Sequence, residues 1–414
     1  MNKLEELINE LCPDGVEYKR IDELCIITRG RVMSKDYIRD NVGQYPVYSS
    51  QTENNGELGK ISTYDFEGEY LTWTTDGANA GSVFYRNGKF SVTNVCGLLK
   101  VKVDEITTKY LYHILSITAP KYVNKGMGNP KLMSNVMARI KVPLPPLSIQ
   151  SEIVHILDSF TLLTAELTAE LTARQKQYAF YRDYLLDFSN EDVTKKIPDI
   201  DCSNVEYIKL GDIAKFTYGY TDKAKDYGDT RFIRITDILD NGYLNPNDAK
   251  YINLNEESKK YLLSKGDLLL ARTGATYGKT LYVPNDEKAV YASFLIKIEL
   301  DNTKILNRYY WHFSKSNLYW KQANKLVSTA GQPQFNTNAV SRVVIPVPPI
   351  SVQENIVKIL DRFDKLNNDM SEGLPAEIEA RKKQYEYYRD TLLSFDDKAC
   401  SHIVKVERER ANTH

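Results

Sequence analysis

Cysteine and histidine are both scarce in this chain. Its 414 residues hold five cysteines, Cys12, Cys25, Cys96, Cys202 and Cys400, far apart and without a C-x-x-C pair. An odd, scattered set excludes both a disulfide framework and a thiolate zinc site. The histidines are His113, His155, His312, His402 and His414, with no metal-ligand spacing among them; His155, beside Ile156 in a helical stretch, reads as structural. No apolar run approaches the roughly 18 residues of a membrane helix. The opening MNKLEELINEL is charged from its third residue, unlike a secretory leader, so no membrane association and a reducing cytoplasm are expected. No N-P-P-[YF] or F-x-G-x-G stretch marks an adenine-methyltransferase site. GATYGKT (Gly274–Thr280) comes near a phosphate-binding loop but has three residues between its glycines where the motif needs four. No carboxylate–lysine cluster marks a nuclease, and Glu256–Glu257 reads as solvated surface. The chain is read as non-catalytic, with no metal and no cofactor of its own.

What the sequence has is repetition. PLPPLSIQSEIVHILD from Pro143 returns as PVPPISVQENIVKILD from Pro346, 203 positions later. GVEYKRIDELC from Gly15 matches NVEYIKLGDIA from Asn204, offset 189, and DGANAGSVFY from Asp76 matches TGATYGKTLY from Thr273, offset 197. ARQKQYAFYRDYLLDF from Ala173 matches ARKKQYEYYRDTLLSF from Ala380, offset 207. Constant order with a slowly drifting offset means tandem duplication of a unit of about 200 residues, too long for a solenoid repeat. The copies agree closely after the Pro-rich mark and diverge before it. Charge is divided along the same line. Residues 16–142 hold 17 Lys and Arg against 13 Asp and Glu, residues 205–345 hold 20 against 15, and the whole chain is net −1. Two mildly basic blocks are therefore joined by acidic segments.

The uniform part is helical. Ile153, Leu157, Phe160, Thr164, Leu167, Leu171, Arg174, Tyr178, Tyr181, Leu185 and Phe188 step alternately by four and three, the 3.5-residue period of a coiled-coil seam. The second copy repeats the seam at Ile356, Leu360 and Phe363, then at Ile378, Arg381, Tyr385, Tyr388, Leu392 and Phe395. It is interrupted by SEGLPAE, where Gly373 fits a C-terminal cap and Pro375 a helix start, so two helices joined by a tight turn are expected. The first copy is expected to be continuous or to turn near its threonines. About 35–40 helical residues span roughly 50–60 Å. Paired antiparallel about a pseudo-two-fold axis, two such elements would hold the globular parts a fixed distance apart. The alternative is an ordinary helical hairpin packed on each globular part.

The divergent blocks read as mixed, strand-rich domains. YPVYSSQ, EYLTWTTDG, SVFYRNGKFSVTNVCGLLKVKV, DLLLARTG, KTLYVPN and AVYASFLIKIEL are runs of β-branched and aromatic residues bounded by Gly, Asn and Asp. Short helices are expected at TKYLYHILS and NRYYWHFSKSNLYWKQANKL. The fold class is α+β: two strand-rich domains separated by two long helical coiled-coil regions, duplicated with pseudo-two-fold symmetry. The expected boundaries are an N-terminal helical segment (1–15), a first domain (16–142), a central helical region (143–190), a linker (191–204), a second domain (205–345), a C-terminal helical region (346–397) and a polar, disordered tail (398–414). Loops rich in Gly with Arg, Asn, Gln, Ser and Thr occur at 28–35, 49–56, 72–81 and 124–131, and again at 217–225, 234–237, 272–279 and 330–336. Such side chains can read base edges or hold phosphates.

The phrase P-x-P-P-[LI]-x-x-Q-x-x-I-V-x-I-L-D followed by A-R-x-K-Q-Y-x-x-Y-R-D-x-L-L-x-F, twice, with the LINELCPDGVEYKR opening, closely resembles the specificity subunit of Type I restriction–modification enzymes. The resemblance extends to about Asp397. It implies two target-recognition domains, each binding half of a split double-stranded DNA sequence. It also implies a helical spacer that sets the gap and docks two adenine-methyltransferase subunits, with two restriction subunits joining where present. S-adenosylmethionine, ATP and magnesium would belong to those partners. The implied DNA-binding residues are Arg29, Arg31, Ser50, Gln51, Thr74, Asn79 and Lys131 in the first copy. In the second they are Tyr220, Lys223, Arg234, Thr236, Asp237, Arg272, Thr276, Lys279 and Gln332. Rival readings are a duplicated coiled-coil scaffold for proteins and a solitary DNA-binding regulator.

Overall fold

A computed structural model describes residues 3–126, 128–189, 204–328, 331–369 and 371–395. The expected linker, but for Asn204, and the expected tail lie outside the described residues, with Cys202 and Cys400. The chain divides into two compact units: residues 1–166 with the segment from Glu379 onward, and residues 167–378. No helix among the described residues is long and apolar enough to cross a membrane.

The first unit opens with α1 (Lys3–Leu11), whose Leu4 and Ile8 lie one turn apart and enter the core. Strands β1 (Tyr18–Arg20), β2 (Cys25–Arg29), β3 (Val42–Tyr48), β4 (Glu57–Ile61), β5 (Phe66–Glu67), β6 (Tyr70–Thr74), β7 (Val83–Arg86), β8 (Lys89–Val92), β9 (Cys96–Val101) and β10 (Lys141–Pro143) follow, with short helices α2 (Ile21–Leu24), α3 (Lys35–Asp40), α4 (Thr108–Thr118) and α5 (Ser134–Arg139). They form an antiparallel sheet β2-β9-β6-β7, a second sheet β4-β3-β8-β5 in which β3 and β8 run parallel, and a β1-β10 clasp. Trp73, on β6, covers Gly97 of β9, where a Cβ would lie 2.2 Å from the indole.

The second unit repeats this plan from a different sequence. Its strands are β11 (Glu206–Lys209), β12 (Ala214–Tyr218), β13 (Thr230–Ile233), β14 (Tyr251–Ile252), β15 (Leu268–Ala271), β16 (Thr280–Tyr282), β17 (Ala289–Tyr291), β18 (Leu295–Leu300) and β19 (Val344–Val347). They make an antiparallel sheet β12-β18-β15-β16, a sheet β14-β13-β17 with β13 and β17 parallel, and a β11-β19 clasp.

Helix α6 (Leu147–Leu186) is continuous over 40 residues, giving its first half to one unit and its second half to the other. The threonines do not break it. Thr161, Thr164 and Thr172 each turn the hydroxyl back to the carbonyl four residues earlier, at 3.0, 2.8 and 3.0 Å. In the second unit α7 (Asn307–Phe313), α8 (Asn317–Leu326) and α9 (Thr337–Val340) precede α10 (Ile350–Asn368) and α11 (Leu374–Leu392). The break falls where SEGLPAE predicts, but Gly373 is not a C-terminal cap. Its carbonyl accepts from Glu377 N–H at 3.2 Å, the N-cap role for α11, while α10 is capped by Asp369. A Cβ at Gly373 would lie 2.6–2.9 Å from carbonyls ending α10, so only glycine lets the chain turn that closely. Within the second unit Tyr181 stacks on Phe363 at 5.4 Å and Asn367 Nδ2 reaches the Arg174 carbonyl at 3.3 Å, which sets α6 and α10 antiparallel. Within the first, Phe160 stacks on Tyr388 at 5.2 Å. The seam is buried at its ends (Ile153, Leu157, Tyr178, Leu185) and half-exposed at Leu167, Leu171 and Arg174. It packs on domain surface as much as on a helical partner. His155, expected to be structural, is exposed.

The repeated phrase has a physical reason in the packing. Fully buried Gln150 accepts from Thr107 N–H at 2.9 Å and donates to the Glu105 and Pro145 carbonyls, both at 2.8 Å. Fully buried Gln353 accepts from Leu306 N–H at 2.9 Å and donates to the Lys304 and Pro348 carbonyls, both at 2.8 Å. Tyr110 and Tyr309 donate to the Pro143 and Pro346 carbonyls. Asp158 takes His113 at 3.1 Å and Lys109 at 2.6 Å, and Asp361 takes His312 and Arg308 at 2.7 Å each. Each domain is thus latched to the start of the following helix by the same residue types in register. The second unit adds Asp364, which accepts from Tyr243, Arg308 and Lys315.

Replacing Gln150 by Leu keeps the volume but orphans three buried backbone groups. Thermal or denaturant unfolding is expected to show a loss of roughly 2–4 kcal/mol. Burial pushes the His312 imidazole down to about 4, against the pull of Asp361. Below its unfolded value near 6.5 the unfolded chain gains a proton that the folded chain refuses, so stability is lost as pH falls from 6.5 toward 4. From pH 6.5 to 5 this amounts to on the order of 2 kcal/mol. In His312→Gln, proton uptake on unfolding, from calorimetric melts, is expected to drop by about half a proton at pH 6.5 and by nearly one at about pH 5.

Candidate nucleic-acid interface

In the first unit, β2 ends at Arg29 and the chain passes at Gly30 so close to β8 that a Cβ would lie 1.9 Å from the Val92 carbonyl oxygen. Gly219 makes the same approach to Ala292 in the second unit, at 2.3 Å. This crossing brings loop 28–35 against the end of β8, where Arg31 bridges Thr93. Thr93 Oγ1 donates to Ser49 Oγ at 2.9 Å, Asn79 Nδ2 donates to Thr52 Oγ1 at 3.2 Å, and Asp76 bridges Lys131. All four glycine-rich loops of the first copy therefore meet in one cluster. Ser50 is half-buried, Asn79 and Lys131 are exposed, and the Gln51 amide is spent on the Glu57 carbonyl at 2.5 Å.

In the second unit Tyr220 bridges Ala292, Gln334 bridges both Thr273 and Ser328, and the Tyr218 hydroxyl meets Thr337 Oγ1 at 3.2 Å. Loops 217–225, 272–279 and the described part of 330–336 thus converge. Lys223, Thr236 and Gln332 are exposed; Thr276 Oγ1 is turned to the Thr273 carbonyl, and the Tyr220 hydroxyl accepts from Asn255.

Two expected contact residues are placed elsewhere. Thr74 is fully buried within β6, and Asp237 is buried beneath its own turn. Asp237 holds Arg234 at 2.6 Å, with Asp248 adding a second carboxylate at 3.3 Å. This is a folding knot, and neither Thr74 nor Asp237 can reach a base. Charge compensation sorts the remaining cations. Arg31 is held by Asp65 at 3.0 Å, Lys279 by Asp240, and Lys131 lies 4.0 Å from Asp76. Arg29, Lys223 and Arg272 have no ion pair among the described residues.

Sequence reasoning passed over Arg86, in the strand run YRNG. It is buried, its guanidinium lies 3.6 Å over the Tyr48 ring, and it donates to the Asn55 carbonyl at 2.8 Å. Burial lowers its pKa, and no carboxylate among the described residues compensates it. It props up loop 49–56, whose Asn54 and Asn55 both take left-handed backbone (φ 48° and 53°). Nothing local in a single strand arginine could have announced this.

A pocket of about 290 Å³ in the second unit is lined by Asn241, Thr280, Lys315, Asn367 and Asn368 among others. Burial brings the Lys315 amine down to about 7, but the amine lies over Trp311 at 3.2 Å and is bound to Asp364. The cluster stitches domain to helix. Among the described residues, no group of three His, Cys, Asp or Glu is arranged to hold a metal ion.

The family model for the type I restriction modification DNA specificity domain matches twice, over residues 13–174 and 202–380. A type I specificity subunit of Mycoplasma pneumoniae is 36% identical over 379 residues, 91% of this chain and 97% of the relative. The MpnII type I restriction enzyme specificity subunit of the same organism is 48% identical over 176 residues, 42% of this chain and 53% of that one. Among solved structures, the S subunit of a type I restriction–modification system from M. genitalium superposes with a TM-score of 0.56 at 16% identity, covering 92% of this chain and 96% of that one.

Removing the carboxylate that neutralises Arg31 should expose a cation to the cluster. Asp65→Asn is expected to tighten duplex-DNA binding at low salt and steepen the dependence of log K on log salt by up to about one, measured by fluorescence anisotropy.

Proposed function

The chain belongs to the type I restriction–modification DNA specificity family, carrying two tandem specificity domains, and from that premise we propose that each domain reads one half of a split, asymmetric DNA target. The observation that carries this reading is the combination of one sheet order and one latch, used twice, with unlike loop chemistry. Matching frames argue for like placement on a partner, and unlike loops argue for unlike base sequences. The loop clusters supply Arg, Asn, Gln and Thr at exposed positions, the residue types that hydrogen-bond base edges. The mild basic excess of each domain favours phosphate contact without giving tight binding alone. Arg29, Arg31, Ser50, Gln51, Asn79, Lys131, Tyr220, Lys223, Arg234, Thr236, Arg272, Thr276, Lys279 and Gln332 remain the candidate contacts, with the uncompensated cations foremost.

Helix α6 is proposed to set the gap between half-sites and, with α11, to dock methyltransferase subunits. Phe180 is 63% exposed and Tyr387 46% exposed; they occupy the same position in the two copies of the helix phrase. Exposed aromatics repeated in register favour one partner type binding twice. Adenine methylation with S-adenosylmethionine, and ATP- and magnesium-dependent cleavage, are assigned to partner subunits, in the cytoplasm. This chain supplies recognition.

Adenine methylation mapped across a host genome with and without the chain should reveal a split motif that depends on it; an unchanged methylome would overturn the reading. Inserting four residues near Leu167–Ala173 should change the gap and leave both halves intact. The double variant Phe180→Ala, Tyr387→Ala is expected to weaken methyltransferase assembly by ten-fold or more in a pull-down titration, with thermal stability unchanged. The isolated chain should bind DNA weakly and with strong salt dependence.

A further inference from the structure

The two units place a guanidinium at the same structural corner, but from different strands. In the first, Arg29 ends β2 and its Nε donates to Ser134 Oγ, at the start of α5, at 3.2 Å. The corresponding strand end in the second unit is Tyr218, whose hydroxyl meets Thr337 at the start of α9. The arginine there comes instead from the end of β15. Arg272 lies 5.1 Å over the Tyr218 ring and 5.5 Å over the Phe294 ring, with Nε donating to the Ser293 carbonyl at 3.1 Å. The first unit has Thr75 at the position of Arg272, turned inward to the Val95 carbonyl at 2.9 Å. One cation per corner without an ion pair among the described residues is kept, Arg29 exposed and Arg272 half-buried, while its place in the sequence moves.

The corner in the second unit is built to hold a flat, oriented fork. Tyr218 is 42% exposed and Phe294 52% exposed, yet they stack on the guanidinium instead of on the core. Nε is committed to backbone, no carboxylate competes, and the two terminal nitrogens of Arg272 have no partner among the described residues. A planar donor pair with its torsions fixed matches two acceptors side by side in one plane, the O6 and N7 of guanine in the major groove. A phosphate can also take such a fork in two hydrogen bonds, so motif and salt slope must separate the two.

We propose that Arg272 reads a guanine in the half-site of the second domain, and that Arg29 is its counterpart in the first. This rests on the half-site reading above. The test uses the chain assembled with its methyltransferase subunits: the methylated motif is mapped for wild type, Arg272→Gln, Arg272→Lys and Arg29→Gln. The expected motif contains a G·C pair in each half. Arg272→Gln and Arg272→Lys should relax that one position in the second half, by roughly tenfold or more in relative methylation, with the first half unchanged; Arg29→Gln should do the converse. Replacing that guanine by 7-deazaguanine in a binding duplex should weaken wild type and leave Arg272→Gln unaffected. A second half without G·C, or a uniform loss of methylation with an unchanged motif and a shallower salt slope, as a phosphate contact gives, overturns the proposal while leaving the half-site reading standing. A wild-type complex with no split motif overturns both. Arg272→Lys retains the charge, and a melting temperature close to that of wild type separates misreading from misfolding.

Discussion

The structure depends on a buried carboxamide. Gln150 and Gln353 each satisfy one N–H and two carbonyls where a strand, a Pro-rich turn and a loop converge on a helix start. A buried polar group without partners costs as much as a core cavity, and an amide that satisfies three backbone groups at once admits one arrangement of the segments bearing them. The prolines remove donors that would otherwise need partners there, and the latch then aligns His113 with Asp158 and His312 with Asp361. A phrase unusual as sequence is ordinary as a solution to hydrogen-bond satisfaction.

This constraint separates what can vary from what cannot. Below the latch, helix surfaces must present the same side chains in both copies. Above it, the sheets need hydrophobic alternation and glycine at the strand crossing, so loops may change freely. That division suits a protein whose readers must differ while their mounting stays constant. The second unit tightens its mounting with Asp364, Lys315 and Tyr243, a network with no match among the described residues of the first, where Thr161 and Ser116 hold the positions of Asp364 and Lys315.

Much of the fold was legible. The heptad steps announced α6, and SEGLPAE announced the break before α11, although Gly373 serves the following helix and not the preceding one. A glycine between two helices can cap either, and the carbonyls crowding its Cα decide which. The interface was partly legible. Composition pointed to the loops that cluster, but Thr74 and Asp237 sit in those same strings and face inward, because a loop's residue types do not say where the strand ends. Arg86 was missed because its partner, the Asn55 carbonyl, is brought to it by tertiary packing.

The sequence alone established the duplication and the helical period, because these are carried by local spacing and by like residues recurring in constant order. Tertiary structure alone decided which cations remain available. Arg31 meets Asp65, Lys279 meets Asp240 and Arg234 meets Asp248 across sequence separations that no periodicity reports, whereas Arg29 and Arg272 meet no carboxylate among the described residues. An ion pair depends on where the packed backbone places two side chains, and that placement comes from the whole core and not from the neighbouring residues.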